Sequence, residues 1–479
     1  MAPTGSGSSE WSRERIEQTA RSICDPPAVW ALLEQAAAPE TGQVRDILHR
    51  AREMKGLPAE DAAALIAVAD EDLRQEIRDS ARRVRETAFG RRISLCAPVC
   101  PTNRCINDCL YCPLRRSNSR VRRSAYTDRD LQREIVSLLD EGHRHLVLVF
   151  GDDRSGVPYV RDMVGAAYGV RSGLRQVQRV DINVDALRLD ELRLLQQSGP
   201  LGTYHVFQET YDPQSYAALH PEGPKADYDR RLTCHDRALE AGVVDLGLGL
   251  LLGCHDWRFD VIALLQHSRY LSDIHGQRAH SFTLQRMVPA PGAPASREPE
   301  RRLADEDFAH IVAVVRLASP YTDIVLSTPA SSEVRRLLVG VGVSRVVVGS
   351  KSYPGVYTGD GDPEAAGHLT IDRPRALERL VYRMAEVGFV PNLCAACYVQ
   401  RRRAPVVEGI ISPQVATDRC APNALLALKE YVMDYASSET QTVVGRLIQG
   451  ELARLPEDVR QLTLELMEEA EAGLRGQML

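Results

Sequence analysis

The sequence predicts an α/β protein built on a (β/α)8 barrel, with helices before the barrel and a helical extension after it. Eight short, apolar and β-rich runs follow one another between residues 91 and 350, and most are separated by enough residues for a helix. The runs are RRISLCAPV, RHLVLVFG, VQRVDINV, GTYHVFQET, DLGLGLLLG, HSFTLQRM, DIVLSTP and SRVVVGS. Repeated alternation of strands and helices is typical of a closed parallel barrel.

The segments on either side of these runs have a different character. Residues 1–12 are small and polar, and we expect them to be disordered. Residues 13–89 carry a helical pattern of apolar positions, and residues 90–373 hold the predicted barrel. Residues 374–479 return to helical patterns, for example NALLALKEYVMDYASSETQTVVGRLIQGELARL. They predict a mostly helical C-terminal domain.

Composition limits the classes of partner. The chain of 479 residues has 44% hydrophobic residues and a net charge of −6, so it can bury a large core and shows no basic footprint for nucleic acid. It contains no run of 18 apolar residues, and its first residues lack a signal peptide's apolar region. We therefore expect a cytoplasmic protein that binds neither nucleic acid nor a membrane, in a compartment that keeps thiols reduced.

Three cysteines directly follow the first predicted strand. Cys105, Cys109 and Cys112 form the pattern C-x3-C-x2-C. Three thiolates at this spacing can bind three irons of a cubane 4Fe–4S cluster and leave the fourth iron open for chemistry on a bound molecule. Structural zinc sites usually contain two C-x2-C pairs, and only one pair occurs here. The spacing therefore favours a catalytic iron–sulfur cluster on the carboxyl-terminal face of the barrel, where the active sites of such barrels lie.

A second cysteine set lies in the C-terminal domain. Cys394 and Cys397 form a C-x2-C pair, and Cys420 follows after 22 residues. Taken alone, this set fits a zinc site completed by a histidine. Together with the first set, it suggests a second iron–sulfur cluster at the barrel mouth or on its flank. Cys96 and Cys100 are expected to be core or loop thiols near the first set, and Cys24, Cys234 and Cys254 to be buried thiols.

The first cysteine pattern and two further stretches of the chain resemble known protein families. The first cysteine pattern matches the radical S-adenosylmethionine (SAM) superfamily, in which the open iron chelates SAM and one electron releases a 5′-deoxyadenosyl radical. The segment GTYHVFQETYDPQSYAALHPEGPKADYDRRLTCHDRALEAGVVDLGLGLLLG and the ending CAACY…CAPNALLALKEYVMDYAS resemble the HydG family of tyrosine lyases, which mature FeFe-hydrogenase. Thiamine-pathway tyrosine lyases share the barrel and the first cysteine set but lack the extension. The resemblance covers roughly residues 50 to 445.

The resemblance implies a reaction, cofactors and partners. Tyrosine would be cleaved between Cα and Cβ to p-cresol and dehydroglycine, and the second fragment would become carbon monoxide and cyanide bound to iron. The cofactors would be SAM and two 4Fe–4S clusters, the second with an additional labile iron. The partners would be an amino-acid substrate, an electron donor such as flavodoxin or ferredoxin, and a protein that accepts the iron–carbonyl–cyanide product.

The resemblance also implies roles for individual residues. Tyr111 would lie near the adenine of SAM, and His280 would bind the labile iron. Gly151, Asp152 and Asp153 replace the usual Gly-Glu segment that binds the amino group of SAM. Cys105, Cys109 and Cys112 would bind the SAM cluster, and Cys394, Cys397 and Cys420 would bind the second cluster. Arg179 would bind the carboxylate of SAM. Arg286 would lie near the substrate. Gln208 and Glu209 end the fourth strand, where Glu209 would either bind an amino group or serve as a buried structural carboxylate. For Arg179, a surface arginine at a strand start is the alternative interpretation.

The chain departs from the family after its seventh predicted strand. Ser327, Thr328, Pro329 and Ala330 replace a Ser-Thr-Arg-Glu motif whose arginine suits the carboxylate of the amino acid. Losing a charge-assisted contact costs about 1.5–3 kcal/mol of binding unless another cation replaces it. The candidates for that replacement are Arg335, Arg286 and Lys351. The segment GCHDWRF also differs from the family pattern and places Cys254 and His255 near the rim of the cavity.

Three hypotheses follow from these observations. The first is a two-cluster lyase that cleaves an aromatic amino acid, with tyrosine favoured. The second is a radical SAM enzyme that acts on a different amino acid or small molecule, with an altered metal–ligand or electron-transfer role for its second cluster. The third is a non-catalytic carrier of iron–sulfur clusters, for which a barrel with SAM-binding motifs is unnecessary.

Overall fold

Eight parallel strands close into a barrel in the computed structural model, which describes residues 11–199, 201–326, 331–349, 353–359, 376–399 and 415–479. The barrel order is β1, β2, β5, β6, β7, β8, β9 and β10, and β10 pairs back with β1. The strands are β1 Arg92–Thr102, β2 His145–Phe150, β3 Arg171–Ser172, β4 Arg175–Gln176, β5 Arg179–Asn183, β6 Tyr204–His205, β7 Leu246–Leu252, β8 Ser281–Arg286, β9 Asp323–Leu326, β10 Arg345–Val347 and β11 Val390–Asn392. Each predicted run contains one barrel strand, which confirms the (β/α)8 prediction, while β3 and β4 form a separate antiparallel hairpin.

Helices surround the barrel on all sides. Those before the barrel are α1 Arg13–Ile23, α2 Pro26–Gln35, α3 Thr41–Ala51, α4 Ala59–Ile66 and α5 Glu71–Phe89. Those within it are α6 Asp128–Asp140, α7 Gly156–Gly169, α8 Leu189–Leu195, α9 Pro213–Leu219, α10 Tyr228–Leu232, α11 Cys234–Glu240, α12 Trp257–His275, α13 Asp305–Ala318 and α14 Ser332–Val341. Those after it are α15 Ala376–Glu386, α16 Ala396–Val399, α17 Ala421–Tyr435, α18 Ser438–Leu452 and α19 Glu457–Glu471.

The N-terminal helices form a second layer on one side of the barrel. Helix α13 is apolar along its length, and every residue from Phe308 to Ala318 is buried. Helices α4 and α5 pack on α13. The all-round hydrophobicity of α13 is therefore explained, because barrel strands cover one side of it and N-terminal helices cover the other.

Two glycines in β7 make room for aromatic rings inside the barrel. A Cβ atom on Gly247 would lie 2.1 Å from Nδ1 of His205, and one on Gly249 would lie 2.3 Å from Cδ1 of Phe207. The LGLGLLL run therefore alternates residues that pack outward with positions where only a hydrogen fits.

The C-terminal segment joins the barrel at the amino-terminal end of the first strand. Strand β11 pairs in parallel with β1, with Arg92 opposite Val390 and Ser94 opposite Asn392. The segment that the sequence predicts as mostly helical thus also adds a strand to the barrel sheet. In the described ranges, no helix is both long and apolar enough to span a membrane.

A network of buried charges closes the amino-terminal end of the barrel. Asp181 in β5 is fully buried and accepts hydrogen bonds from Arg179 Nε at 2.6 Å, His145 Nε2 at 2.8 Å and Arg345 Nη1 at 3.1 Å. Arg345 also contacts Asp323 at 2.6 Å. Burial opposes ionisation of Asp181, but Arg179 and then His145 outweigh it and hold the pKa of Asp181 well below its usual range. We call these five residues the floor network.

Replacing Asp181 with asparagine should destabilise the protein strongly. The substitution leaves the guanidinium groups of Arg179 and Arg345 buried with one counter-charge fewer, and an uncompensated buried charge costs about 3–5 kcal/mol. The loss is measured as the change in the free energy of unfolding in urea. Asp190→Asn is the matched control, because Asp190 is 71% exposed in its ion pair with Arg188 and should contribute less than about 1 kcal/mol. Equal effects of the two substitutions would contradict the role of the floor network.

Candidate active site

The first cysteine set lies in a loop that hydrogen bonds hold in one conformation. Asp108 accepts hydrogen bonds from Arg115 Nε at 2.9 Å and Nη2 at 2.6 Å, and from the Ser117 amide at 3.0 Å. Arg123 donates to the carbonyl oxygens of Asn103 and Leu114 at 2.7 Å each. These contacts shape the loop after β1 around Cys105, Cys109 and Cys112.

The three thiols of this loop suit a metal cluster. Burial raises the pKa of each thiol, to about 12 for Cys112, and the Lys225 ammonium opposes that effect at all three. Thiols that are largely removed from water ionise more readily when cationic charge is close, and the irons of a cluster supply that charge. Within the part of the chain that the structure describes, no three His, Cys, Asp or Glu side chains converge on a single-ion site. Cluster thiolates bind separate irons, so they do not need to meet at one point.

The segment after β2 packs directly against this loop. A Cβ atom on Gly151 would lie 2.2 Å from the Arg104 carbonyl oxygen, so the close approach requires glycine. The Asp152 carbonyl accepts a hydrogen bond from the Ile106 amide at 2.9 Å, and the Asp153 carboxylate accepts one from Thr102 Oγ1 at 3.2 Å. The predicted Gly-Asp-Asp segment therefore borders the cysteine loop.

Asp152 faces a second carboxyl group, that of Asp185 after β5. Burial and then the proximity of Asp185 raise the pKa of Asp152 above its ordinary value. Asp152 Oδ2 accepts a hydrogen bond from Asn107 Nδ2 at 3.0 Å, and Asp185 pairs with the buried guanidinium of Arg231. Two facing carboxyl groups beside the cysteine loop have the charge that suits a cationic amino group.

Tyr111 is a half-buried residue of the cysteine loop itself, between Cys109 and Cys112. Its hydroxyl lies 2.9 Å from His220 Nε2, and His220 Nδ1 lies 2.7 Å from the Tyr216 carbonyl oxygen. Because a carbonyl only accepts, His220 Nδ1 carries the proton, and Tyr111 donates to Nε2. Burial and then Lys225 lower the pKa of His220 to about 2, so this histidine is neutral. Tyr111 lies next to Cys112 as predicted, and its contact with adenine stays a prediction.

Glu209 has a strained backbone and a close cationic partner. Its φ angle is 71°, a conformation that side chains other than glycine rarely adopt. Its Oε1 accepts a hydrogen bond from Lys225 Nζ at 2.5 Å and lies 4.0 Å from Arg231 Nη2. The neighbouring Gln208 is 4% exposed, and its Nε2 has no hydrogen-bond partner among the described residues. Strain and an unpartnered buried donor are both typical of ligand sites.

The residues proposed to replace the missing family arginine lie in different places. Arg286 ends β8 and donates to Asp305 Oδ1 at 2.5 Å, so its guanidinium is already paired on the side of helix α13. Arg335 lies on helix α14. Lys351 and the segment 327–330 lie outside the described residues. Lys225 and Arg231 lie beside Glu209, and both act on the pKa of Cys109 in the cysteine loop.

The prediction that Arg179 lies near the SAM carboxylate is wrong. Arg179 is the first residue of β5, so it lies at the amino-terminal end of the barrel, opposite the first cysteine loop. Its guanidinium belongs to the floor network and stacks over the Tyr398 ring at 4.0 Å. The alternative of a surface arginine is also wrong, because Arg179 is 7% exposed.

The second cysteine set lies at that amino-terminal end. Cys394 follows β11, Cys397 lies in α16, and Cys420 ends a π-helical turn, Ala416–Cys420. Arg92 is half-buried near Cys394 and Cys420 and donates to the Ala416 carbonyl at 3.1 Å. Burial raises the pKa of Cys394 to about 12, and Arg92 opposes the shift. A half-buried cation near two of the three thiols fits an anionic cluster, and π turns are frequent at functional sites.

His280 lies on the same side as the second set. It directly precedes β8, and its Nδ1 is 3.7 Å from Asp245 Oδ1, beyond hydrogen-bond distance. Asp245 also accepts the hydroxyl hydrogen bond of Tyr398, the neighbour of Cys397. Burial lowers the pKa of His280 and keeps the ring neutral, which is the form that binds metals. The structure thus brings His280 and the second cysteine set together at one end.

Several site residues have no counterpart in the sequence predictions. Lys225, Arg231 and Asp185 approach the first cysteine loop from segments after β5 and β6, and Asp245 with Tyr398 links His280 to the second set. The charged run PEGPKADYDRR is the sequence signal that could have indicated Lys225 and Arg231. The remaining cysteines, including Cys96, Cys100 and Cys254, are buried as expected.

Comparisons with known proteins agree with this geometry. Residues 99–263 match the radical SAM superfamily, and residues 283–390 match the biotin and thiamin synthesis associated domain. The chain is 31% identical to 2-iminoacetate synthase from Escherichia coli over 67% of this chain and 83% of that protein. A crystal structure of HydG, a maturase of the FeFe-hydrogenase, superimposes with a TM-score of 0.91 at 32% identity and covers 96% of this chain and 100% of its own.

HydG from Carboxydothermus hydrogenoformans superimposes with a TM-score of 0.81 at 27% identity, covering 94% of this chain and 99% of its own. The likeness to HydG therefore extends over nearly the whole chain, including the C-terminal segment that carries the second cysteine set. Both the relatives and the cysteine loop at the carboxyl-terminal face point to the same chemistry. The chain belongs to the family of radical SAM lyases that contains 2-iminoacetate synthase and HydG.

Proposed function

We propose that this enzyme cleaves the Cα–Cβ bond of tyrosine and converts the resulting dehydroglycine to carbon monoxide and cyanide at its second cysteine set. The observation that carries the proposal is the presence of two cysteine triads at opposite ends of one barrel, the first near Lys225 and Arg231 and the second near Arg92. SAM bound at a 4Fe–4S cluster on Cys105, Cys109 and Cys112 would supply a 5′-deoxyadenosyl radical. A second 4Fe–4S cluster with a labile iron would lie at Cys394, Cys397 and Cys420.

The contact between Lys225 and Glu209 suits an amino-acid ligand. Lys225 offers an ammonium to a carboxylate, and Glu209 offers a carboxylate to an amino group. A bound amino acid carries both groups in its zwitterion, so it can exchange partners with this pair without leaving a buried charge unpaired. The unpartnered Nε2 of Gln208 adds a hydrogen-bond donor beside them. We assign Lys225, Glu209 and Gln208 to binding of a carboxylate and an amino group in this cavity.

The facing carboxyl groups of Asp152 and Asp185 would bind the amino group of SAM. An ammonium between them would offset their mutual repulsion and favour the ionised form of Asp152. Aspartate is one methylene shorter than the glutamate usual at this position, and Asp185 would supply a second carboxylate as hydrogen-bond acceptor from the neighbouring strand end. The tight packing of Gly151 on Arg104 fixes the distance of this segment from the cysteine loop.

The amino-terminal end of the barrel would carry the second half of the reaction. Conversion of dehydroglycine to carbon monoxide, cyanide and water balances in atoms and charge without further reagents. His280 is neutral and half-buried, and it would bind the labile iron. Flavodoxin or ferredoxin would deliver electrons to the first cluster, and a further protein would accept the iron-bound product.

A second candidate function is cleavage of a different amino acid. Pro329 and Ala330 stand where the family has Arg-Glu, so the arginine that suits the substrate carboxylate is missing from the sequence. This difference favours the second candidate function. In that case the radical chemistry and the first cysteine loop keep their roles, and the side-chain pocket differs.

The product assay distinguishes these functions. The reconstituted enzyme, kept anaerobic with SAM, dithionite and L-tyrosine, should release 5′-deoxyadenosine and p-cresol in equal amounts, followed by carbon monoxide and cyanide. Phenylalanine, which lacks the hydroxyl, is the matched control and should give no cresol. Deoxyadenosine without cresol from tyrosine would contradict the substrate assignment and support the second candidate. Intact SAM would contradict the radical function itself.

The two cysteine sets should serve different steps of the reaction. Cys109→Ala removes a ligand of the SAM cluster and should abolish formation of both 5′-deoxyadenosine and p-cresol. Cys397→Ala should leave both products unchanged and stop release of carbon monoxide and cyanide. The same assay measures all four products, and circular dichroism checks that each variant is folded. If Cys397→Ala also abolished SAM cleavage in folded protein, the separate roles of the two sets would be disproved.

Lys225→Met should weaken binding of a carboxylate ligand. A charge-assisted hydrogen bond contributes about 1.5–3 kcal/mol, so the KM for tyrosine or for SAM should rise on the order of 10- to 100-fold. Lys225→Arg keeps the charge and should recover part of the loss. Steady-state KM values for both ligands identify which carboxylate Lys225 contacts. Unchanged KM values for both would show that Lys225 only neutralises Glu209.

A further inference from the structure

Exposed arginine side chains surround the first cysteine loop. We call them the arginine rim: Arg104, Arg116, Arg120, Arg122 and Arg154. All five lie in the segments that follow β1 and β2, at the carboxyl-terminal end of the barrel. The whole chain carries a net charge of −6, so this cluster of positive charge contrasts with the rest of the molecule.

Backbone contacts hold the rim segments around the cysteine thiols. Asn103 Nδ2 donates to the Arg122 carbonyl at 2.9 Å, and the Arg116 amide donates to the Asn107 carbonyl at 2.8 Å. The close packing of Gly151 on Arg104 brings the segment that carries Arg154 to the same place. The rim therefore belongs to the ordered frame of the cysteine loop.

Most of the rim charges have no acidic partner. Arg116 pairs with Glu222, and both side chains are more than half exposed. Arg104, Arg120, Arg122 and Arg154 make no ion pair with any residue that the structure describes. Elsewhere on the surface, arginines such as Arg45 and Arg188 pair with nearby carboxylates. Unpaired charges of one sign produce a potential that attracts an oppositely charged partner.

We propose that the arginine rim is the docking surface for an acidic, low-potential one-electron carrier protein of the flavodoxin or ferredoxin class. The proposal rests on the proposed function, since the SAM cluster must be reduced before it acts. Cys105 and Cys112 are partly exposed inside the rim, so a carrier seated on it comes close to the cluster ligands. Each docking event passes one electron from the reduced carrier to the oxidised cluster, and no atom or proton is transferred. The carrier leaves oxidised by one electron.

The test compares two reductants on one enzyme. Formation of 5′-deoxyadenosine is measured with reduced flavodoxin and, separately, with dithionite, which needs no docking surface. The variant Arg120→Glu, Arg122→Glu, Arg154→Glu reverses three unpaired rim charges. Its flavodoxin-driven rate should fall at least about tenfold and lose its dependence on salt, because electrostatic steering raises association rates by roughly 10- to 1,000-fold. Its dithionite-driven rate should equal that of the wild type.

A control variant changes the total charge equally at remote sites. Arg83→Glu, Arg193→Glu, Arg446→Glu alters exposed arginines on α5, α8 and α18 and should keep both rates. The proposal is overturned if the rim variant keeps its flavodoxin-driven rate, or if both reductants lose rate equally, which would indicate damage to the loop. Failure of the wild type with dithionite would instead refute the proposed function. A further outcome would also overturn the proposal: the wild type binds a single-stranded oligonucleotide, the rim variant does not, and the flavodoxin-driven rate is the same for both. That result would identify the rim as a nucleic-acid surface.

Discussion

Strand β1 is the element on which the rest of the structure depends, because it reaches both cysteine sets. Its first residues pair with β11, which leads to Cys394, and its last residue leads to the loop with Cys105. Between these points it pairs with β2 and β10 and closes the barrel. A strand of 11 residues spans on the order of 30 Å, so the same hydrogen-bonded ladder that forms the core also sets the separation of the two sites.

The two ends of the barrel differ in how completely their buried charges are paired. At the carboxyl-terminal end, Lys225, Arg231, Glu209 and the Asp152–Asp185 pair leave room for ligand groups, and Gln208 has an unpartnered donor. At the amino-terminal end, the floor network pairs its arginines closely with Asp181 and Asp323. Buried charges are tolerated only when they are paired. We interpret the closely paired end as structural support for the second cysteine set, and the less completely paired end as the place where ligands complete the pairing.

The sequence predicts the barrel well because each strand is short, apolar and separated by a helix, and this local pattern is independent of distant contacts. It predicts the two cysteine sets because metal ligands follow spacing rules within one loop. The family likeness does not locate Arg179, because it carries no information on strand direction, and the first residue of a parallel strand lies opposite the active-site face. Lys225 and the pairing of β11 with β1 depend on long-range contacts, and local patterns do not predict such contacts.

The separation of two clusters at opposite ends of the barrel is the central claim, and Mössbauer spectroscopy of reconstituted protein tests it most directly. The wild type should contain two spectroscopically distinct 4Fe–4S clusters, and addition of SAM should perturb only one. Replacing Cys105, Cys109 and Cys112 with alanine should remove the SAM-sensitive component, and replacing Cys394, Cys397 and Cys420 should remove the other. A single cluster in the wild type, or loss of the SAM-sensitive component in the second variant, would contradict the account.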